Sequence, residues 1–168
     1  MQEAADALYQ RAQRLATTYR EQNVARILAL LEEAAAFEHA DALFELGCWR
    51  HHGIGADRDD ARAAGLWERA SERGHLEARF ALAIACERGA GVEKNASRAF
   101  GFYASCADGG HLSARYELGR CRYYGIGTFV DRAAAAGDFR EARRHGHSEA
   151  ACDAGESDGP RRMPPPVW

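Results

Sequence analysis

The sequence predicts an all-α fold built from a two-helix unit that recurs every 36 residues, and three observations carry the prediction. The first is composition. The 168-residue chain holds 35 alanines against 11 valines, isoleucines and threonines together. Alanine has the best helix propensity, and β-branched residues are what pleated sheets use. The second is that all four prolines (Pro160, Pro164, Pro165, Pro166) follow residue 159, so nothing upstream is broken by a missing N–H. The third is the placement of the 17 glycines. Gly53-Ile54-Gly55, Gly89-Ala90-Gly91 and Gly125-Ile126-Gly127 stand 36 residues apart, and so do Gly74-His75, Gly110-His111 and Gly146-His147. Gly65, Gly101 and Gly137 obey the same offset, as do Gly47 and Gly119, which brings 14 glycines into one register.

Taken in chain order, the first element is a worn copy at 6–41. Glu38-His39 stands there for Gly-His, and Thr17 and Tyr19 occupy the places of the paired glycines. Terminal repeats are commonly atypical because one face meets water. Three clear units follow at 42–77, 78–113 and 114–149, and a solenoid-type domain over 1–154 contains all four. In the first clear unit a helix over about 42–51 carries Ala42, Leu46 and Trp49 on one stripe. Gly53 and Gly55 permit a tight loop with positive φ. Asp59 then caps a second helix with Ala63, Trp67 and Ala70 on one face, and Asn95 and Asp131 are placed alike. Gly74 stands where a left-handed residue ends that helix. Gly65, Gly101 and Gly137 fall inside second helices and are read as close-approach points between packed helices. The 155–168 segment, rich in proline and glycine, is expected to be a flexible tail, with Met163, Val167 and Trp168 as candidates to fold back on the last repeat.

Charge and cysteine usage narrow the function. A net charge of −3 gives no pull toward nucleic acid or anionic membrane. No apolar run reaches the 18 or so residues of a membrane span, and the N-terminus lacks the pattern of a secretory signal. Five cysteines at irregular positions without a CxxC pair fit a reduced, cytoplasmic protein. The Gly-x-Gly elements follow no strand and carry no nucleotide-binding lysine, so they read as turns. His39, His75, His111 and His147 share one repeat position, and stacking separates them too far to meet on one metal ion. Neither Cys48 with His51 nor Cys106 with His111 has an evident orienting carboxylate. No enzyme, cofactor or metal site is expected.

The recurring residues Ala42, Leu46, Gly47, Gly53, Gly55, Asp59, Ala63, Trp67, Ala70, Gly74 and His75 resemble the Sel-one-like repeat, a relative of the tetratricopeptide repeat. The resemblance implies a right-handed α/α solenoid of about four 36-residue repeats, with a concave groove lined by first helices. It implies a non-catalytic adaptor for a protein or peptide partner. Immunity or inhibition of a cognate bacterial toxin is the alternative. The chain departs from the family where a tyrosine usually follows Leu-Gly; here Arg50, Cys86 and Arg122 stand instead. Some secreted relatives pair a cysteine at the place of Cys106 with one near residue 114, which is alanine in this chain.

A helical wheel turns Glu45 and His52, then Arg88, then Glu117, Arg120 and Tyr124 away from the buried stripe. These positions vary between copies while the frame stays constant, as reading one extended partner requires. Arg88, Arg120 and Tyr124, with Arg50 and Arg122 nearby, form the expected anchor patch, since arginine and tyrosine are enriched in binding hot spots. Nucleic acid and membrane insertion are not expected, and the chain is expected to be a monomer or a weak homodimer through the solenoid end.

Overall fold

Alanine runs closed by glycine at a fixed interval can form only short helices, and the computed structural model contains them in register. It describes residues 1–17 and 23–146. Among the described residues there are eight helices and no strand. They are α1 (Gln2–Thr17), α2 (Val24–Ala36), α3 (Ala40–His52), α4 (Asp60–Glu72), α5 (Leu76–Arg88), α6 (Ala96–Asp108), α7 (Leu112–Tyr124) and α8 (Arg132–Arg144). The fold is all-α and of the helical-repeat solenoid class, as the sequence predicts.

The start and stop signals act as their chemistry requires. Asp59, Asn95 and Asp131 accept from the backbone N–H of Arg62, Arg98 and Ala134 at 2.8, 2.9 and 2.9 Å. Each thereby satisfies one of the N–H groups a helix start leaves open. First helices are capped by histidine instead. The Nδ1 atoms of His39, His75 and His111 accept from Ala42, Ala78 and Ala114 at 3.2, 3.1 and 3.1 Å. The far nitrogens of His39 and His75 lie 3.2 Å from Asp6 and Asp41, which fixes the ring orientation. At the other end, Gly74 and His75 return their N–H groups to the carbonyls of Ser71 and Ala70, and Gly110 and His111 do the same to Ala107 and Cys106. This closure needs a left-handed residue, and Gly74 and Gly110 supply it at φ +84° and +88°.

The glycines inside helices follow a different rule from the one expected. A methyl group on Gly65, Gly101 or Gly137 would meet nothing within 4 Å, so these are not close-approach points. The close approaches are at Gly47 and Gly119. A Cβ there would stand 2.5 Å from the Trp67 indole nitrogen and 2.8 Å from the Phe139 ring, each on the second helix of the same repeat. The reason is geometric: the large aromatic of the second helix needs a gap in the first.

By internal packing the chain divides into two units, Met1–Leu82 with Ala90–Glu93, and Ala83–Gly89 with the residues from Lys94 onward. In the first, α1 packs on α2, α2 on α3 and α3 on α4. Its core includes Leu31, Ala42, Leu43, Leu46, Ala63, Trp67 and Ala70. In the second, α6 packs on α7 and α7 on α8, around Tyr103, Cys106, Leu118, Cys121 and Phe139. Within each unit a Gly-x-Gly loop rests on the second helix of the preceding repeat. Side chains at Gly91 and Gly127 would overlap the backbone carbonyls of Asp60 and Ala96. Cys48, Cys86, Cys106 and Cys121 form no disulfide. The expectations for His147, Cys152 and the 155–168 tail, and the comparison at Tyr19, lie outside the described residues.

Candidate functional site

The expected anchor residues sit on α3, on the end of α5 and on α7, and their surroundings divide them into groups already engaged and groups turned outward. On α3, Glu45 is half-buried. It accepts from the Tyr9 hydroxyl at 3.2 Å and from the Gln13 amide, both on α1. Burial, reinforced by the Glu45 charge, pushes the Tyr9 hydroxyl up to about 12. Arg50 is an interior residue, its side chain 8% exposed and paired with Glu32 of α2 at 2.5 Å. It contributes no cation to the surface. His52 is exposed, its ring edge-on to His51 at 5.0 Å.

His51 does have a carboxylate beside it, contrary to the expectation from spacing alone. Its Nδ1 lies 2.7 Å from Asp60, and Arg58 donates to the same carboxylate at 2.8 Å. The Arg58 hydrogen bond, with a smaller contribution from His51, holds the Asp60 carboxyl below its ordinary range. Cys48 stands three residues before His51, yet burial pushes its thiol up, away from the thiolate that nucleophilic chemistry uses. The set is a loop clamp tying the end of α3 to the start of α4.

In the second unit the expected residues meet a partner that was not among them, Glu87. Arg120 donates to both carboxylate oxygens of Glu87 at 2.7 Å and to Glu117 at 2.5 Å. The Tyr103 hydroxyl, from the middle of α6, donates to Glu87 at 2.9 Å. Burial opposes the Arg120 charge, but the hydrogen bonds and fields of Glu87 and Glu117 outweigh it and raise its pKa. Desolvation, then the same two carboxylates, raises the Tyr103 hydroxyl as well. Two carboxylates thus share one guanidinium, and all three side chains are only 17–25% exposed. Arg122 faces the other way, bonded at 2.6 Å to Asp138, whose side chain is 5% exposed. Burial raises the Asp138 carboxyl even though Arg122 and Arg115 both favour its charge. Turned outward are Arg88 and Tyr124, the latter 40% exposed. No spacing rule could single out Glu87: it occupies the repeat position of His51 and Tyr123, and nothing in that alternation announces a carboxylate.

A cavity of about 150 Å³ is bordered by His111, Arg115, Glu141 and His145. Ligand pockets run upward from about 300 Å³. Its arginine is already committed, donating to the Ala107 carbonyl at 2.9 Å. Among the described residues no helix is long and apolar enough to cross a membrane.

The family model described as Sel1 repeat matches residues 40–75, 76–111 and 112–147. The chain belongs to the Sel1 repeat family. The three matched units begin two residues before those marked out by the alanine register and keep the 36-residue length. Sel1 repeat proteins are in general non-catalytic scaffolds for protein interaction. Solved structures agree on the fold. The chain is similar to a Sel1 repeat protein from Oxalobacter formigenes, at 23% identity and a TM-score of 0.84 over 90% of this chain and 61% of that one. It is similar to c5321, a protective antigen of uropathogenic Escherichia coli with an SLR fold, at 28% identity and a TM-score of 0.72 over 76% of this chain. The match spans only 27% of that antigen's length. Cysteine rich protein B of Helicobacter pylori aligns at 16% identity and a TM-score of 0.61, over 79% of this chain and 96% of that one. No curated protein gives a match. No disulfide joins the four described cysteines of this Sel1 repeat chain, and the position at which some secreted relatives carry a second cysteine is Ala114 here.

Proposed function

We propose that this Sel1 repeat protein is a non-catalytic adaptor that holds a protein or peptide partner against the first-helix face of its repeats. Arg88, Glu117, Arg120 and Tyr124 are the principal contacts in the second unit, and Glu45 and His52 contribute from the first. Arg50 and Arg122 support this face from behind through Glu32 and Asp138. The observation that carries the reading is the Glu87–Arg120–Glu117 cluster. Its geometry is fixed in advance by four hydrogen bonds to charged groups, including the one from Tyr103. A group held rigid beforehand loses little entropy on binding. Beside it, Arg88 and Tyr124 supply the exposed residue types that dominate interface energetics.

The test uses the outward pair, because reversing Arg120 would place three carboxylates together and damage the fold. Tagged wild-type chain, Arg88→Glu/Tyr124→Ala and a control, Arg140→Glu on the exposed side of α8, are compared in affinity capture from the source organism. Expected is a partner recovered equally by wild type and control, and reduced at least tenfold by the double variant. Equal recovery by all three would place the binding surface elsewhere.

A further inference from the structure

The small cavity beside α8 has a filled counterpart in the first unit. It is lined by Ala107, Gly110 and His111 of the α6–α7 turn, Arg115 of α7, and Glu141 and His145 of α8. Two repeats earlier the same positions are Ala35, Glu38, His39, Leu43, Arg69 and Arg73. There two guanidinium groups of the chain itself occupy the corner. Arg69 donates to the Ala35 carbonyl at 3.2 Å and to the Glu38 carboxylate at 2.6 Å. Arg73 donates through Nε to the Glu38 carbonyl at 2.8 Å and pairs with the Glu38 carboxylate, also at 2.8 Å.

The turn has one backbone in both corners. Glu38 and Gly110 have φ +63° and +88°, and each returns its N–H at 3.0 Å to the carbonyl of Ala35 or Ala107. The side chains differ. Arg115 replaces Leu43 and serves the Ala107 carbonyl at 2.9 Å, as Arg69 serves that of Ala35. The role of Arg73 has no successor. Its place is taken by His145, and the Gly110 carbonyl accepts no hydrogen bond among the described residues. A carboxylate is present as well, now on the helix: Glu141 stands where Arg69 stood. Its printed neighbours are Arg144 and His145 of the same helix, at 3.2 and 3.1 Å, with side chains 75% and 55% exposed. Exposed pairs of this kind hold weakly. Arg115, the cation in the wall, has Asp138 at 3.7 Å to balance it.

A carbonyl and a carboxylate, the two kinds of acceptor that Arg73 binds, therefore border an open space of about 150 Å³. A single water needs roughly 10–15 Å³, so the space takes the head group of one side chain. We propose that this corner of the second unit receives an arginine side chain presented by a partner protein, its guanidinium donating to the Gly110 carbonyl and to Glu141. The planar fork of a guanidinium serves two acceptors at once, which the point charge of an ammonium does less well. The inference does not rest on the face that carries Arg88 and Tyr124.

The test titrates the isotope-labelled full chain with N-acetyl-arginine amide, followed by amide NMR above the ordinary histidine range. Expected are saturable shifts at Gly110, Leu112 and Glu141 with a millimolar Kd, and at least threefold weaker binding of N-acetyl-lysine amide. Glu141→Gln should weaken the arginine probe at least fivefold, whereas Arg88→Glu/Tyr124→Ala should leave its binding unchanged. His145→Arg restores the first unit's arginine and should block the probe from within, which keeps the test decisive if Glu141→Gln folds poorly. Wild-type chain without saturable shifts at this corner would overturn the proposal. So would undiminished binding of the arginine probe by Glu141→Gln or by His145→Arg.

Discussion

At the scale of single residues, the repeat shows how one backbone conformation can be met by different side chains. The left-handed closure after α4 and α6 uses glycine, but after α2 the same pair of hydrogen bonds is made by Glu38 and His39. Glu38 therefore sits at φ +63°, a conformation that costs a side-chain-bearing residue about 1–2 kcal/mol. Its carboxylate gathers Arg69 at 2.6 Å and Arg73 at 2.8 Å, and the Arg69 hydrogen bond is the main reason its pKa is lowered. Each such half-exposed pair is worth at most about 1 kcal/mol. The two effects nearly cancel, so Glu38→Gly should change stability by no more than about 0.5 kcal/mol. Glu38→Ala keeps the strain and loses both arginines, and should cost about 1 kcal/mol more than the glycine variant. Thermal unfolding of the two variants checks the order. The aspartate and asparagine caps were legible in the sequence because their chemistry is local. The histidine caps were not, since a ring nitrogen serves only when the chain places it three residues ahead of a free N–H. A helical wheel sets Arg120 apart from Arg50 and Arg122 but does not show that all three are engaged in ion pairs. What engages them is the placement of Glu32, Glu87 and Asp138 on other helices, which no spacing within one helix reveals.

At the scale of the helix, glycine marks two opposite situations at positions that recur equally well. Gly47 and Gly119 make room for Trp67 and Phe139, whereas Gly65, Gly101 and Gly137 have open space beside them. Periodicity alone cannot tell these apart: the expected close-approach set, Gly65, Gly101 and Gly137, has the same 36-residue spacing as the set that packs. Alanine at position 65, 101 or 137 should stabilise the protein by about 0.5–1 kcal/mol each through helix propensity. Gly47→Ala should destabilise by about 1–3 kcal/mol, because its methyl overlaps a fixed indole. Denaturant titration measures both, and a destabilising Gly65→Ala would show an unrecognised contact on that side of α4. The middle repeat is instructive here. It carries Ala83 at the Gly47 position and faces it with Tyr103, whose hydroxyl is led out to Glu87. The same repeat has Cys86 and Phe102 at the two positions where the third has the Arg122–Asp138 ion pair.

For the molecule as a whole, the 36-residue register made the fold class, the helix boundaries and the family legible, because each depends on positions that recur. The candidate face was legible only in outline, because it is made of the positions that do not recur. Charge acts at this scale too. Asp60 and Glu38 have carboxyls held below the ordinary range, so their stabilising contribution is present above about pH 4 and is lost as pH falls through the lower folded-state values. Asp138, raised by burial, works in the opposite sense: its contribution is present in acid and is lost as pH rises. The depressed pair outnumbers it, so the melting temperature should fall between pH 6 and pH 3. Asp60→Asn should shrink that fall, and a fall of undiminished size would show the clamp carries no share of it. The seating of Gly91 on Asp60 and of Gly127 on Ala96 has a consequence for how such a chain can change over generations. Each seat works as a key cut for one lock, admitting a bare backbone at one residue and rejecting every side chain. An insertion of a single residue turns the key out of phase at once, whereas duplication of a whole unit leaves every key in its lock. Growth by whole copies is the change this architecture tolerates, and its strict 36-residue spacing is the mark that constraint leaves.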